Sequence, residues 1–276
     1  MSEEMPYIPY GEEGGWKKRF EITIPILLLI LVFVIVAWKL GWLAGVPILN
    51  QFFKSPSIDI AIIGNDQNIV KTIETDIRRD LPVNTYVLNK SNLYDIRDPS
   101  FFAKYSMIIM TEGQDGDTIA LEGYTLDYLK AFVDSGKPAI VIGLAGSQVM
   151  NSPQESGWAK LGFVPARCKA TRCEETSASY DRVKMFVKDV NHAILKEFVL
   201  EPIEFSSERG QITYTMVNPE NGVSILDMEI TTGADAYTGT AIIERSAGYG
   251  QGRVLYFGFN PSLYSPLLYN SIKYLR

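Results

Sequence analysis

The stretch GKPAIVIGLAGSQVM, Gly136 to Met150, has the pattern that decides the fold class of this chain. Its apolar run PAIVIGL follows a glycine that ends a helical pattern, and a glycine-containing turn comes directly after the run. We expect a buried strand that leads into a tight turn and then into a helix. Many α/β enzymes place a nucleophile at such a turn, but no cysteine stands on this one. The sequence therefore leaves two interpretations of this turn: an active site, or the same backbone structure without a catalytic residue.

The same alternation of strand and helix patterns continues on both sides of this stretch. Upstream, IDIAIIG from Ile58 predicts a strand, and Ile69, Ile73 and Ile77 then recur at helical spacing. VNTYVLN and YSMIIMT predict two more strands, ALEGYTLDYLKAFVDSG a helix, and SPLLYNSIKYL the closing helix. Strands separated by amphipathic helices indicate parallel pairing with right-handed crossovers. The sequence predicts an α/β fold with a doubly wound, mainly parallel, flavodoxin-like sheet over residues 57–276.

An unbroken apolar run precedes this domain. Residues 1–19 are rich in Gly, Pro and Glu, show no periodicity and are predicted to be a cytoplasmic tail. From Ile22 to Val46 the chain can cross a bilayer core of about 30 Å at about 1.5 Å per residue. We predict one transmembrane helix at residues 20–46 and a linker at 47–56. The alternatives are a buried helix or a cleaved signal peptide, whose apolar region is usually about 7–15 residues long.

Charge predicts the orientation and excludes one class of partner. Lys17, Lys18 and Arg19 crowd the N-terminal flank of the run, so the N-terminus is expected in the cytoplasm and residues 57–276 outside it. The predicted location is the cell membrane or an endomembrane, with the lipid bilayer as a partner of residues 20–46. A net charge of −6 and a pI near 5.0 argue against nucleic-acid binding.

Two cysteines and one glycosylation motif are relevant to the predicted location of residues 57–276 outside the cytoplasm. Cys168 and Cys173 stand in RCKATRC, and outside the cytoplasm a disulfide between them is the leading interpretation. A metal site is the alternative, but His192 is the only histidine in the chain and the ligand set is incomplete. We predict no metal and no cofactor. Asn89 in NKS is a candidate acceptor for N-glycosylation.

Several strings of the domain resemble a known superfamily. YSMIIMTEG, GLAGSQ and GYGQGRVLYFGFNPS match the pattern of the class I glutamine amidotransferase-like superfamily, including its ThuA-like members and GIFT domains. The resemblance covers most of residues 57–276. In active amidotransferases a Gly-x-Cys-x-Gly turn carries the thiolate that attacks the amide. A His-Pro-Glu string near the C-terminus supplies the base and its orienting carboxylate.

The resemblance implies that the catalytic positions are vacant here. Ala145 falls where the cysteine would stand, on a turn one residue shorter, while Asn260 falls on the histidine and Ser262 on the glutamate. Alanine has no nucleophilic atom and asparagine cannot accept a proton near neutral pH. The cysteine mechanism therefore cannot run on these residues, and we expect an inactive relative of the enzymes.

Other residues near the expected crevice carry groups that a different chemistry would need. Ser147 lies on the turn but outside a G-x-S-x-G motif, and an N-cap is the simpler role. His192 is expected to cap or pack a helix start, as in ThuA-like sequences. In TEGQDGDT, Asp115 and Asp117 lack EF-hand spacing, so a solvated loop is expected rather than a calcium site. The residues predicted to border a ligand or partner crevice are Glu112, Gly113, Gly146, Ser147 and His192.

Two functions follow as expectations. The first is a membrane-anchored, non-catalytic domain that acts as a binding or scaffold subunit of a membrane complex. Among relatives a GIFT domain is a lumenal part of oligosaccharyltransferase, so the resemblance implies an accessory role in glycosylation, with complex subunits and a small ligand or glycan as partners. The second is an extracytoplasmic hydrolase of an amide or sugar derivative that uses Ser147 and His192. A sensor that signals through the anchor ranks third, because the tail carries no output module.

Overall fold

A computed structural model of the chain has two units, Met1–Pro56 and Ser57–Arg276. The residues that the structure describes are 24–34, 36, 57–64, 66–112, 120–152, 156–168, 175–179, 182–196, 203–206, 211–232, 235–245, 248 and 250–276.

In the first unit, residues 24–34 and 36 are helical. The large apolar side chains from Ile24 to Phe33 are more than half exposed. Among the described residues, none of the helices is both long and apolar enough to cross a membrane. The rest of the predicted span, at 20–23, 35 and 37–46, lies outside the described residues, so the transmembrane helix stays a prediction.

The second unit is built on a mixed sheet. Its strands are β1 Ile58–Ile63, β2 Val83–Leu88, β3 Met107–Met110, β4 Ala139–Ile142, β5 Ala166–Cys168, β6 Glu175–Ser179, β7 Arg182–Val187, β8 Ile203–Ser206, β9 Gln211–Thr215, β10 Val217–Pro219, β11 Val223–Thr232, β12 Asp235–Arg245 and β13 Val254–Phe257. Among the described residues, nine of them form the sheet in the order β2-β1-β3-β4-β13-β12-β11-β7-β8, and β5–β10 and β6–β9 form two separate short ladders.

The first half of the sheet is parallel and doubly wound. β1 pairs in parallel with β2 and β3, and β4 pairs in parallel with β3 and β13. β12, β11, β7 and β8 then extend the sheet with antiparallel pairs. The predicted mainly parallel α/β core is therefore confirmed, with an antiparallel extension added to it.

Helices cover both faces of the sheet because alternate strand residues face opposite ways. The helices are α1 Gln67–Thr72, continued by a π-helical turn Ile73–Ile77, α2 Lys90–Tyr94, α3 Gly123–Asp134, α4 Gly157–Leu161 and α5 Ser265–Leu275. Ile60 and Ile62 of β1 pack in one apolar core with α1 and α5, whereas Ala61 and Ile63 pack in a second core with α3 and α4.

The prediction of a helix directly after the β4 turn is wrong. Residues 147–152 form no helix, because their backbone groups bond to neighbouring segments. Leu121 N–H donates to the Gln148 carbonyl at 3.1 Å, and Met150 N–H donates to the Leu121 carbonyl at 2.8 Å. Gln148 also bridges Ser156, whose side chain caps α4. Helix formation is thus displaced to Gly157, beyond what the local pattern predicts.

Candidate functional site

The parallel strands end at one side of the sheet, which we call the carboxyl end and define by Gly64, Thr111, Gly143 and Gly258. Neighbouring strand ends are tied together there, since Thr111 N–H donates to the Ile63 carbonyl at 2.7 Å and Gly143 N–H to the Phe257 carbonyl at 2.8 Å. Ligands of open α/β sheets bind outside this end, near the point where the strand order reverses. It is therefore the candidate functional site.

The turn after β4 is packed from inside. Ala145, at the position where the resemblance places a nucleophile, is 2% exposed, and its carbonyl accepts a 3.0 Å bond from the indole N–H of Trp158. Gly146 has a φ of 72°, and a Cβ there would overlap the side chain of Met110. The turn therefore presents no side chain that could attack a substrate at Ala145.

A carboxylate lies against the same turn. Glu112 follows the end of β3, and its Oε1 accepts a hydrogen bond from Leu144 N–H. Gly143, with a φ of 57°, faces this carboxyl group so closely that any Cβ would overlap it. The structure thus brings together three of the predicted crevice residues, because Glu112 contacts the turn that carries Gly146 and leads into Ser147. Gly113, which was predicted beside them, lies outside the described residues.

The position that the resemblance assigns to a catalytic base holds a structural amide. Asn260 Nδ2 donates to Asp66 Oδ2 at 2.6 Å, and Asn260 Oδ1 accepts from Ser262 N–H at 2.9 Å. Asn260 is the N-cap of a 3₁₀ turn, Pro261–Leu263, that leads into α5. Ser262 supplies its backbone to this cap, so both positions serve the local turn.

Asp66 is a residue of this site that the sequence reasoning missed. It caps α1, and its Oδ1 accepts from the N–H groups of Asn68 and Ile69 at 2.8 and 3.2 Å. Burial raises the pKa of its carboxyl above the usual value, although the bonds from Ile69, Asn68 and Asn260 favour the ionised form. An Asp directly before a helical pattern is a readable N-cap signal, but its partner 194 residues away is not.

Ser147 and His192 do not form an acid–base pair. Ser147 follows the carboxyl end of β4, where its N–H donates to the Leu144 carbonyl at 2.9 Å. His192 Nε2 lies 2.9 Å from Glu244 Oε2, and Glu244 pairs in register with Leu255, the second residue of β13. That contact lies toward the amino end of the parallel strands, whereas Ser147 lies beyond their carboxyl end.

His192 is a capping residue within a buried cluster. It is 8% exposed and caps the 3₁₀ turn Ala193–Leu195. Its partner Glu244 also accepts a 2.7 Å hydrogen bond from the Tyr274 hydroxyl. Burial raises the pKa of Glu244, but hydrogen bonds from His192 and Tyr274 and nearby positive charge outweigh it, so that pKa lies below its usual value. The cluster joins β12, α5 and this turn.

The remaining predicted residues lie apart from the site. Cys168 ends β5 and is disulfide-bonded, whereas Cys173 lies outside the described residues, so their pairing stays a prediction. Asn89 is exposed and caps α2. Asp115 and Asp117 lie outside the described residues. Among those the structure describes, no three His, Cys, Asp or Glu residues are grouped as a metal site would require.

A backbone segment that sequence reasoning did not place covers part of the carboxyl end. Tyr214 at the end of β9 bridges Phe259, and Thr215 N–H donates to the Gly258 carbonyl at 2.7 Å. The Tyr214 ring is fully buried, and its hydroxyl donates to the Thr240 carbonyl at 3.2 Å. Burial, and then the charge of Asp227, raise the pKa of this hydroxyl above its usual value. The segment therefore closes the sheet next to Asn260.

Comparisons with known proteins identify the fold. The sequence matches no protein-family model and no curated protein. A cytoplasmic protein of Salmonella typhimurium is similar over 78% of this chain and 98% of its own, at 11% identity and a TM-score of 0.55. A ThuA-like protein of Bacteroides uniformis is similar over 81% of this chain and 93% of its own, at 10% identity and a TM-score of 0.55.

A third structure carries the same fold inside a larger protein. A β-galactosidase of Bacillus circulans is similar over 79% of this chain but over 31% of its own, at 10% identity and a TM-score of 0.53. Together these likenesses define the class of protein: an α/β protein with the amidotransferase-like fold of ThuA-like proteins. At such identities they show the fold alone.

Proposed function

We propose that this chain is a catalytically inactive, amidotransferase-like domain that binds or scaffolds within a membrane complex, to which an anchor at residues 20–46 would attach it. The observation that carries the proposal is the chemistry at the three catalytic positions of the resemblance. The Ala145 side chain is a buried methyl group. The side-chain amide of Asn260 is hydrogen-bonded to Asp66 and to Ser262 N–H, so the Ser262 backbone takes part in the cap of a 3₁₀ turn. None of these groups can serve as nucleophile and base.

The packing of the site supports the same proposal. Enzymes of this kind need a cleft that admits a substrate between nucleophile and base. Here Trp158 and Glu112 hold the β4 turn, and Asp66 ties the β13 turn to α1, so neighbouring strand ends are fixed by the protein's own groups. Binding would then use the outer surface of the domain, where one concave region of about 1060 Å³ lies between α4 and the β5–β10 ladder.

A finer proposal concerns the complex. The resemblance to GIFT domains favours an accessory subunit of an oligosaccharyltransferase-type complex, in which an anchored domain needs only a weak contact because the membrane raises its effective concentration. The partner would be another membrane subunit, with a glycan or small ligand as a further contact. The separation of Ser147 from His192 leaves no observation that favours the hydrolase.

The test is copurification of the full chain from its own membranes in mild detergent, combined with an assay for ammonia release from glutamine. We expect a membrane protein to copurify in a fixed ratio, and to be lost when residues 57–276 are removed. We also expect no glutamine hydrolysis. Hydrolysis by the purified chain that disappears in Ser147→Ala would contradict the proposal, as would purification of the chain alone.

A further inference from the structure

The turn after β4 holds a carboxylate with its backbone. Leu144 N–H donates to Oε1 of Glu112, which lies 32 residues earlier in the chain at the end of neighbouring β3. Gly143 leaves the room for the carboxyl group, because a Cβ at this residue would overlap all three of its atoms. The contact therefore depends on a glycine, a backbone N–H without a main-chain acceptor and a strand end, which no local pattern puts together.

One backbone N–H of this turn is available to an anion. Gly143 and Gly146 both have positive φ, at 57° and 72°. The N–H groups of Gly143 and Ala145 donate to main-chain carbonyls, whereas Leu144 N–H, between them, donates to a carboxyl oxygen. A hydrogen bond to an ionised acceptor is roughly twice as strong as a neutral one. Leu144 and Ala145 are buried, so water competes weakly for the N–H and the local attraction is strengthened.

We propose that the turn Gly143–Gly146 is a carboxylate-binding site, occupied by the protein's own Glu112 and able to take a small monocarboxylate when that side chain is absent. The inference rests on the proposed function and deepens it, because it names the class of ligand that the carboxyl end of the sheet would bind. A ligand or partner that reaches this end would have to present a carboxyl group and displace Glu112. Formate is the matching probe, since it is the carboxyl group of Glu112 without the stem.

The experiment is chemical rescue of the full chain in mild detergent, followed by thermal unfolding. Glu112→Ala removes a charge-assisted hydrogen bond and should lower the Tm by about 5 °C. Sodium formate at about 100 mM should restore roughly half of that loss by mass action, relative to sodium chloride of the same ionic strength. The wild-type chain should show the same Tm in both salts, because Glu112 fills the site.

Two variants separate the site from general effects. Glu112→Gln keeps the shape and an oxygen that accepts from Leu144, so it should not respond to formate. Glu122→Ala removes a half-buried glutamate that makes no capping bond at the start of α3, and it should not respond either. The Leu144 amide resonance should shift with formate in Glu112→Ala and stay in place in both controls.

The proposal fails if formate and chloride give the same Tm in Glu112→Ala, or if the wild type and Glu122→Ala gain as much from formate. Should Glu112→Ala not fold, Glu112→Ser leaves the same space and carries the same test. No partner takes part in these measurements. Failure here would therefore leave the copurification test standing, and absence of a partner would leave the carboxylate site standing.

Discussion

At the residue scale, Asp66 shows how one side chain can hold two distant turns. Its Oδ1 caps α1, while its Oδ2 accepts from Asn260 after β13. The residue is 7% exposed, and burial raises its pKa above the usual value. Because its folded pKa is raised, its contribution to stability is full below the unfolded pKa of about 3.9 and is lost as the pH rises through the folded pKa.

A pH series of urea unfolding tests this sign. The free energy of unfolding of the wild type, relative to Asp66→Asn, should fall as the pH rises from about 3 through the raised pKa. Asp98 provides the opposite control, since hydrogen bonds from the Ser100 hydroxyl and N–H lower its pKa. Relative to Asp98→Asn, the wild type should gain stability as the pH rises. Equal slopes for both variants would contradict the assignment.

Glu244 gives a second residue-scale prediction. Glu244→Ala should lower the free energy of unfolding by about 2 kcal/mol, because His192 and the Tyr274 hydroxyl lose their buried acceptor. Its pKa is lowered in the folded state, so this contribution should fade as the pH falls through the folded pKa. Glu220→Ala, at an exposed residue directly after β10, should change stability by less than about 0.5 kcal/mol. Denaturant unfolding measures both.

At the element scale, the conformation of the β4 turn depends on two glycines. Gly143 leaves room for Glu112, and Gly146 leaves room for Met110. Both have left-handed backbone angles that other residues adopt only at a cost. The turn is therefore stabilised by packing and backbone conformation and needs no reactive residue at Ala145. The strand–turn junction can thus serve as a structural element.

Gly146→Ala tests this packing against a matched glycine. Gly146 and Gly250 have φ values of 72° and 78°, but a Cβ at Gly146 would overlap Met110, whereas one at Gly250 would meet nothing within 4 Å. Gly250→Ala should cost only the left-handed strain of about 1 kcal/mol, and Gly146→Ala about 2–3 kcal/mol because crowding is added. Equal losses in denaturant unfolding would show that the turn has room.

At the scale of the whole molecule, the chain has a second unit with its own apolar cores and a first unit that carries the predicted anchor. The basic cluster Lys17, Lys18 and Arg19 should keep the N-terminus in the cytoplasm. Protease added to intact cells should then digest residues 57–276, and changing all three residues to Glu should reduce this digestion. For a chain in the cell membrane, full protection of the wild type would reverse the predicted topology. For a chain in an endomembrane, protease added to sealed vesicles with the cytoplasmic side outward should leave residues 57–276 intact, and their digestion would reverse it.

The predicted α/β core came from patterns that a sequence displays directly. Alternating apolar strands and helical repeats, such as Ile69, Ile73 and Ile77, depend on residues within one element. The sequence did not place the antiparallel extension from β12 to β8, because register between separate strands is not a local property. The missing helix after β4 has the same cause, since Leu121 captures the backbone of Gln148 and Met150.

The sequence by itself determined the α/β class, the winding of strands and helices, the apolar N-terminal run and the residue types at the catalytic positions of the resemblance. These depend on composition and short-range periodicity, which are written along the chain. Only the tertiary structure decided that Asp66 meets Asn260, that Glu112 meets Leu144, and that Ser147 and His192 lie toward opposite ends of the parallel strands. Such contacts join residues far apart in sequence, and the ordering of strands in the sheet decides which strand ends become neighbours.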